Sequence, residues 1–242
     1  MDDQHYYKRT IVKEAVPSAV LGSSRSVRVC LPPGYNELLS YPVVYCQDGE
    51  DFFNFGRIAT TMNRLIFDEG AEPAIIVGVD VDKTIRTSEY APEGERFAAY
   101  CRFFAEELVP YIEGRYPVRP AAAERIVAGD SLGATVSLHL ALDYRDLFCN
   151  VISLSGAFLQ STRDRIEQET DLSWLTVVQL IGTDETEVNT ERGTFDFLAE
   201  NRATRLALAA KGCCPEYTEK PGKHIWGFWQ KELPWMLQRF LG

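Results

Sequence analysis

The chain has 242 residues, 45% of them hydrophobic and 12% aromatic, with 25 basic and 35 acidic side chains. That composition excludes disordered, collagen-like and coiled-coil classes and supplies enough apolar surface for a substantial core. A net charge of -10 and a pI near 4.9 argue against nucleic acid or acidic lipid surfaces as partners.

Residues 1–5 (MDDQH) are acidic and polar where a secretory signal would be basic and then apolar. No apolar run approaches the roughly 18 residues that a membrane span needs. The six cysteines, Cys30, Cys46, Cys101, Cys149, Cys213 and Cys214, form no CxxC or Cys/His ligand set. They read as reduced structural thiols of a cytoplasmic protein, and the adjacent Cys213 and Cys214 would close only a strained disulfide. No membrane partner, metal or organic cofactor is expected, and a homo-oligomer is compatible with these features.

Residues 6–16 and 26–31 have no helix between them and are expected to form an antiparallel edge. The second run alternates Val27, Val29 and Leu31 on one face and stops at Pro32-Pro33-Gly34. Continuous apolar runs at 42–47, 74–79, 124–128, 150–154 and 176–181 read as strands buried on both faces. Residues 216–219 are also strand-like. Apolar spacing of three and four predicts helices over 58–67, 97–111, 133–142, 195–210 and 226–241, the last with a bend at Pro234. This alternation implies an α/β domain with a mostly parallel sheet and helices on both faces. No repeat or linker divides it, so one domain over residues 1–242 is expected.

At the end of the run before Gly129 stands Gly129-Asp130-Ser131-Leu132-Gly133, a G-x-S-x-G. Chance supplies roughly 0.08 such matches in a chain this long. Its position between a strand and a helix makes it a sharp turn that would hold the Ser131 hydroxyl at the sheet edge. The bland alternative is a glycine turn with an idle serine. Serine needs a base, and only three histidines are present. His5 reads as a surface residue and His139, flanked by Leu138 and Leu140, as a helix-packing one. His224, in the loop Pro221-Gly222-Lys223-His224, is the candidate base, against a solvent-exposed loop histidine. A third group must orient the imidazole. The loop after residue 181 offers Asp184, Glu185 and Glu187, of which at least two must be ordinary solvated carboxylates. The order serine, acid, histidine matches that of α/β-hydrolases.

With these residues in place, the chain resembles the putative esterase family of α/β-hydrolases, which includes esterase D, feruloyl esterases and enterochelin esterases. The match runs from about Val27 to Trp229, with landmarks at Leu31-Pro-Pro-Gly-Tyr35, Tyr41-Pro-Val-Val-Tyr-Cys-Gln-Asp-Gly49, Arg86 with Glu89-Tyr90, Glu106-Glu-Leu-Val-Pro110, Ala128-Gly-Asp-Ser-Leu-Gly133, Ser153-Leu-Ser-Gly156 and Gly222-Lys-His224. The resemblance implies an α/β-hydrolase fold, Ser131 as nucleophile and His224 as base. It also implies Glu185 as the acid, with Asp184 as the alternative because many relatives carry aspartate there. Ala134 departs from the further glycine common in relatives. The backbone N–H groups of Leu132 and Glu50 are implied as oxyanion donors, while Asp48 would stabilise the turn. Arg86 and Glu89 read either as a functional pair, binding a polar group or bracing the cleft, or as a surface ion pair. Neither is assigned to the site.

The expected activity is that of a serine carboxylesterase acting on a small-molecule ester through an acyl-enzyme on Ser131. An acyltransferase using the same acyl-enzyme, or a binding protein that keeps only the fold, are the rivals. The segment 156–175 is too short for a large lid, so an open, shallow cleft is expected.

Overall fold

All five continuous apolar runs become strands of one sheet in the computed structural model, which describes residues 4–242 and side chains from Tyr6 onward. In chain order the strands are β1 (Thr10–Val16), β2 (Arg25–Leu31), β3 (Val43–Cys46), β4 (Ile75–Val79), β5 (Arg125–Asp130), β6 (Asn150–Leu154), β7 (Thr176–Gly182), β8 (Val188–Thr190), β9 (Gly193–Phe195) and β10 (Glu216–Lys220). Eight of them form a sheet in the order β1-β2-β4-β3-β5-β6-β7-β10, and β8 pairs with β9 in a separate hairpin. Strands β1 and β2 run antiparallel, from Thr10 opposite Leu31 to Val16 opposite Arg25, and β2 is antiparallel to β4. Every pairing from β4 to β10 is parallel. The expected antiparallel edge and parallel centre are both present.

The helices are α1 (Gln4–Tyr7), α2 (Gly49–Asn54), α3 (Ile58–Glu69), α4 (Arg86–Tyr90), α5 (Phe97–Arg102), α6 (Val109–Glu113), α7 (Leu132–Asp143), α8 (Gln160–Glu167), α9 (Phe197–Ala210) and α10 (Trp226–Leu241). They lie on both sheet faces, and the period-two geometry of strands explains how. Val43, Tyr45, Val77, Val127, Val151 and Val177 point into one core layer with Phe103, Phe104 and Val136. Their neighbours Val44, Cys46, Ile76, Ile126, Ile152 and Val178 point into the other, with Phe52, Leu65 and Met236. Each fully buried side chain of this kind is worth about 1.5–3 kcal/mol over its exposed state. Cys30 and Cys46 belong to the second layer, where burial pushes the Cys30 thiol up to about 11. That suits a small hydrophobe.

Several boundaries differ from expectation for local reasons. The predicted helix over 97–111 is α5 and α6 joined by a π-helical stretch, Phe103–Leu108. Pro110 lacks an N–H and crowds the carbonyl four residues back, and a widened turn relieves both. The helix predicted from 195 begins at Phe197, because Asp196 caps it by accepting from the Ala199 amide and Phe195 belongs to β9. Helix α10 has the predicted bounds, with Pro234 inside it. The short elements α2, α4, α8 and the β8–β9 hairpin carry too little periodicity to be read from sequence.

Candidate active site

Strand β5 delivers the chain to Ser131 and α7 carries it away, so the serine occupies a one-residue turn with φ 52° and ψ -123°. That conformation is costly for any residue with a side chain and persists only where its surroundings enforce it. Here they do. The Ser131 amide donates to the Leu154 carbonyl at 3.0 Å, and its own carbonyl accepts from the amides of Ala134, Thr135 and Ala157. Glycine is required before the serine, where a Cβ on Gly129 would fall 2.1 Å from the Gly133 carbonyl carbon, and is closely fitted after it, where a Cβ on Gly133 would meet Asp48 Oδ2 at 3.1 Å. Ala134, the departure noted above, is fully buried in the first turn of α7.

His224 lies in the loop before α10. Its Nδ1 is 2.6 Å from Glu185 Oε2, and its ring packs against Phe197, tilted by 42°, and against Trp229, nearly perpendicular at 86°, each with centroids 4.9 Å away. Glu185 is completely buried, and its other oxygen accepts from the Gly182 amide at 2.9 Å and from Ser155 Oγ at 2.6 Å. Asp184 and Glu187 are exposed. The loops that carry Glu185 and His224 touch directly, with the Asp184 amide donating to the Gly222 carbonyl at 3.1 Å, and the approach needs a bare Gly182. A Cβ on Gly182 would lie 2.3 Å from the Gly222 carbonyl oxygen.

The amides of Leu132 and Glu50 fall in the first turns of α7 and α2, where helix geometry leaves N–H groups without an internal acceptor. Those turns are neighbours, as the contact from Gly133 to Asp48 requires. The Glu50 side chain is mostly exposed and pairs with Arg28 at 3.4 Å.

Arg86 and Glu89 correct the expectation of a mutual pair. Glu89 is fully buried and faces Arg25 at 2.6 Å and Arg96 at 3.5 Å. Arg86 turns instead to Asp48, which adopts a left-handed conformation just before α2. Its Nε and Nη2 donate to the two Asp48 oxygens at 2.7 Å each, and Nη2 also reaches the Asp130 carbonyl at 3.3 Å. Lys83 adds bonds to Asp48 and Asp51 at 2.9 and 2.7 Å. Burial opposes the charge on Arg86, but Asp48 outweighs it and holds the guanidinium's pKa above its ordinary value. Arg86 therefore joins the turn before α2 to the turn that holds Ser131. Its partners are remote in sequence, so only the landmark around it hinted at this. Asp130 itself is buried, and burial together with nearby Asp48 pushes its pKa up to about 7 against the pull of Arg86.

Ser131, Lys83 and Arg86 line two cavities. One, of about 530 Å³, is open and also bounded by Asp51, His224, Ile225 and Trp226. The other, of about 240 Å³, is less open and bounded by Leu132, Leu159, Phe195 and the hairpin tip at Thr190, Glu191 and Arg192. The cleft is thus shallow on one side only; the β8–β9 hairpin borders the other. Among the described residues no group of three or more His, Cys, Asp or Glu side chains is arranged to hold a metal ion, and no helix is long and apolar enough to cross a membrane. His139 is buried on α7, with its Nε2 3.2 Å from Thr162 Oγ1. The His5 side chain lies outside the described residues.

The putative esterase family model matches residues 18–240. The chain belongs to that family. It is 36% identical to the uncharacterized protein YjcH of Bacillus subtilis over 96% of its own length and 98% of that protein. It is 24% identical to an acetyl esterase of Caldicellulosiruptor saccharolyticus over 60% of this chain and 65% of that one. A ferulic acid esterase structure superposes with a TM-score of 0.82 at 22% identity, covering 96% of this chain and 99% of the other. The enterobactin esterase of Shigella flexneri superposes at 0.81 with 21% identity, and this chain spans 59% of that longer protein. The fold is that of the α/β-hydrolase esterases, and family membership supports action on an ester bond.

Proposed function

We propose that the protein is a serine carboxylesterase that hydrolyses small-molecule esters through an acyl-enzyme. The observation that carries this reading is the 2.6 Å contact of His224 with buried Glu185, in a cleft that Ser131 also lines. His224 Nε2 takes the Ser131 hydroxyl proton as Oγ attacks the ester carbonyl carbon. The tetrahedral oxyanion is stabilised by the amides of Leu132 and Glu50. Collapse expels the alcohol, which receives the proton from His224, and leaves the acyl group on Ser131. Water then repeats the sequence, with His224 as base, to release the acid. Glu185 fixes the imidazole tautomer, Nδ1–H toward Oε2, and stabilises the imidazolium that forms at each step.

The unequal cavities favour an ester with a compact group on one side of the scissile bond and a larger one on the other. Acetyl and feruloyl esters both meet that description, as acetyl and ferulic acid esterases among the relatives would suggest. A panel of p-nitrophenyl, feruloyl, thioester and cyclic triester substrates tests the reading. Hydrolysis of at least one class by the wild type and its loss in Ser131→Ala is expected. Undiminished hydrolysis by Ser131→Ala would overturn it.

A further inference from the structure

Ser155 follows β6 with φ 49°, a left-handed conformation that glycine adopts without strain and serine does not. A serine side chain held there must contribute something that offsets the strain. Its hydroxyl lies at the centre of a chain of hydrogen bonds: Trp229 Nε1 donates to Ser155 Oγ at 2.8 Å, and Ser155 Oγ donates to Glu185 Oε1 at 2.6 Å. Glu185 Oε2 then meets His224 Nδ1. All three donors and acceptors behind the histidine are buried.

We propose that Ser155 and Trp229 are positioning residues that fix the rotation of the Glu185 carboxylate, so that Oε2 alone faces His224. This rests on the esterase reading above. A buried carboxylate has two equivalent oxygens, and the Gly182 amide by itself satisfies only one lone pair of Oε1. Without the Ser155 proton the carboxylate could rotate about its terminal bond, which has a broad torsional profile, and loosen its hold on the imidazole. Trp229 acts at two points. Its N–H orients the serine hydroxyl so that the proton is free for Glu185, and its ring, nearly perpendicular to the imidazole with centroids 4.9 Å apart, confines the His224 ring.

The hydroxyl and the backbone turn can be separated experimentally. Ser155→Gly keeps the turn, relieves the φ strain and deletes the hydroxyl; Ser155→Ala deletes the hydroxyl alone. Ser153, two residues back on β6, is a matched control, since its buried hydroxyl has no hydrogen-bond partner. Turnover of an ester that the wild type hydrolyses is measured alongside the downfield proton resonance of the Nδ1–H between His224 and Glu185. Both Ser155 variants should lose about tenfold to a hundredfold in kcat, the range that a hydrogen bond to an ionised group is worth. KM should stay within about twofold, because no substrate contact is removed. The downfield resonance should disappear or move upfield, and Ser153→Ala should match the wild type. Trp229→Phe keeps an aromatic ring against His224 and should show a smaller fall of the same kind. It carries the test if the Ser155 variants do not fold. Unchanged kcat, or a lowered kcat with the resonance intact, would overturn the proposal. If Ser131→Ala also retained activity, the esterase reading itself would have failed, which is a different result from active Ser155 variants beside an inactive Ser131→Ala.

Discussion

His224 Nδ1 and Glu185 Oε2 lie 2.6 Å apart although 39 residues separate them, and the acid is completely buried while the histidine keeps one edge toward the cleft. The two loops reach each other because Gly182 lets their backbones meet. A buried carboxylate beside an imidazole with no cation of its own is a poor device for stability. In the proposed mechanism its use is to hold one tautomer and one ring orientation.

The acid position is therefore tested by neutral amides. Glu185→Gln should lower turnover at least about a hundredfold, since an amide can present its N–H₂ to the ring and favour the wrong tautomer. Asp184→Asn and Glu187→Gln, both at exposed positions, should each stay within about tenfold of the wild type. Steady-state kinetics on purified variants with matching circular dichroism would rank them. A severe Asp184→Asn would move the acid by one residue.

Arg86 should behave as a brace. Arg86→Met strips the fully buried Asp48 carboxylate of its bidentate partner, leaving Lys83 alone to balance it. Breaking a buried pair commonly costs about 3–5 kcal/mol, and the remaining lysine should hold the loss nearer about 2 kcal/mol. Turnover should fall at least about tenfold as the turns before α2 and around Ser131 lose their common anchor. Arg86→Lys should recover only part of both, because an ammonium cannot make the paired contact. Thermal midpoints and kcat together check this; full recovery by lysine would reduce Arg86 to a point charge.

Two buried groups tilt stability with pH in opposite directions. Burial pushes His139 down to about 4 from an unfolded value near 6.5. The unfolded chain then binds a proton that the folded one refuses, and stability falls as pH drops from about 6.5 toward 4. Asp130 is raised from 3.8 to about 7, so the folded chain keeps a proton that the unfolded one releases. Its contribution is lost as pH rises from about 4 through 7. Relative to the wild type, the thermal midpoint of His139→Gln should decline with rising pH between about 4.5 and 6.5, whereas that of Asp130→Asn should climb. Parallel profiles for all three proteins would show that neither group titrates in this way.

The parts legible in the sequence were those with local signatures. Apolar runs located the five central parallel strands, and the G-x-S-x-G located the turn, because glycine at 129 is a steric necessity there. The acid was harder, since Asp184, Glu185 and Glu187 differ in burial rather than in type, and burial depends on a loop 37 residues further on. Family spacing pointed to Glu185, and of the three it alone lies beside His224. Arg86 and Ser155 could not be assigned from composition or period, because their partners are brought together only by the sheet order. The β8–β9 hairpin escaped notice because three-residue strands have no period to detect.

The Ser131 hydroxyl should be the most reactive nucleophile of the protein. Incubation of the folded protein with a fluorophosphonate, followed by intact-mass measurement and peptide mapping, reads that reactivity without reference to any substrate. One adduct per chain is expected, on Ser131, with labelling slowed at least about a hundredfold in His224→Ala because the base that activates the hydroxyl is gone. An adduct on another residue, or an unlabelled wild-type protein, would contradict the assignment of Ser131 as the nucleophile.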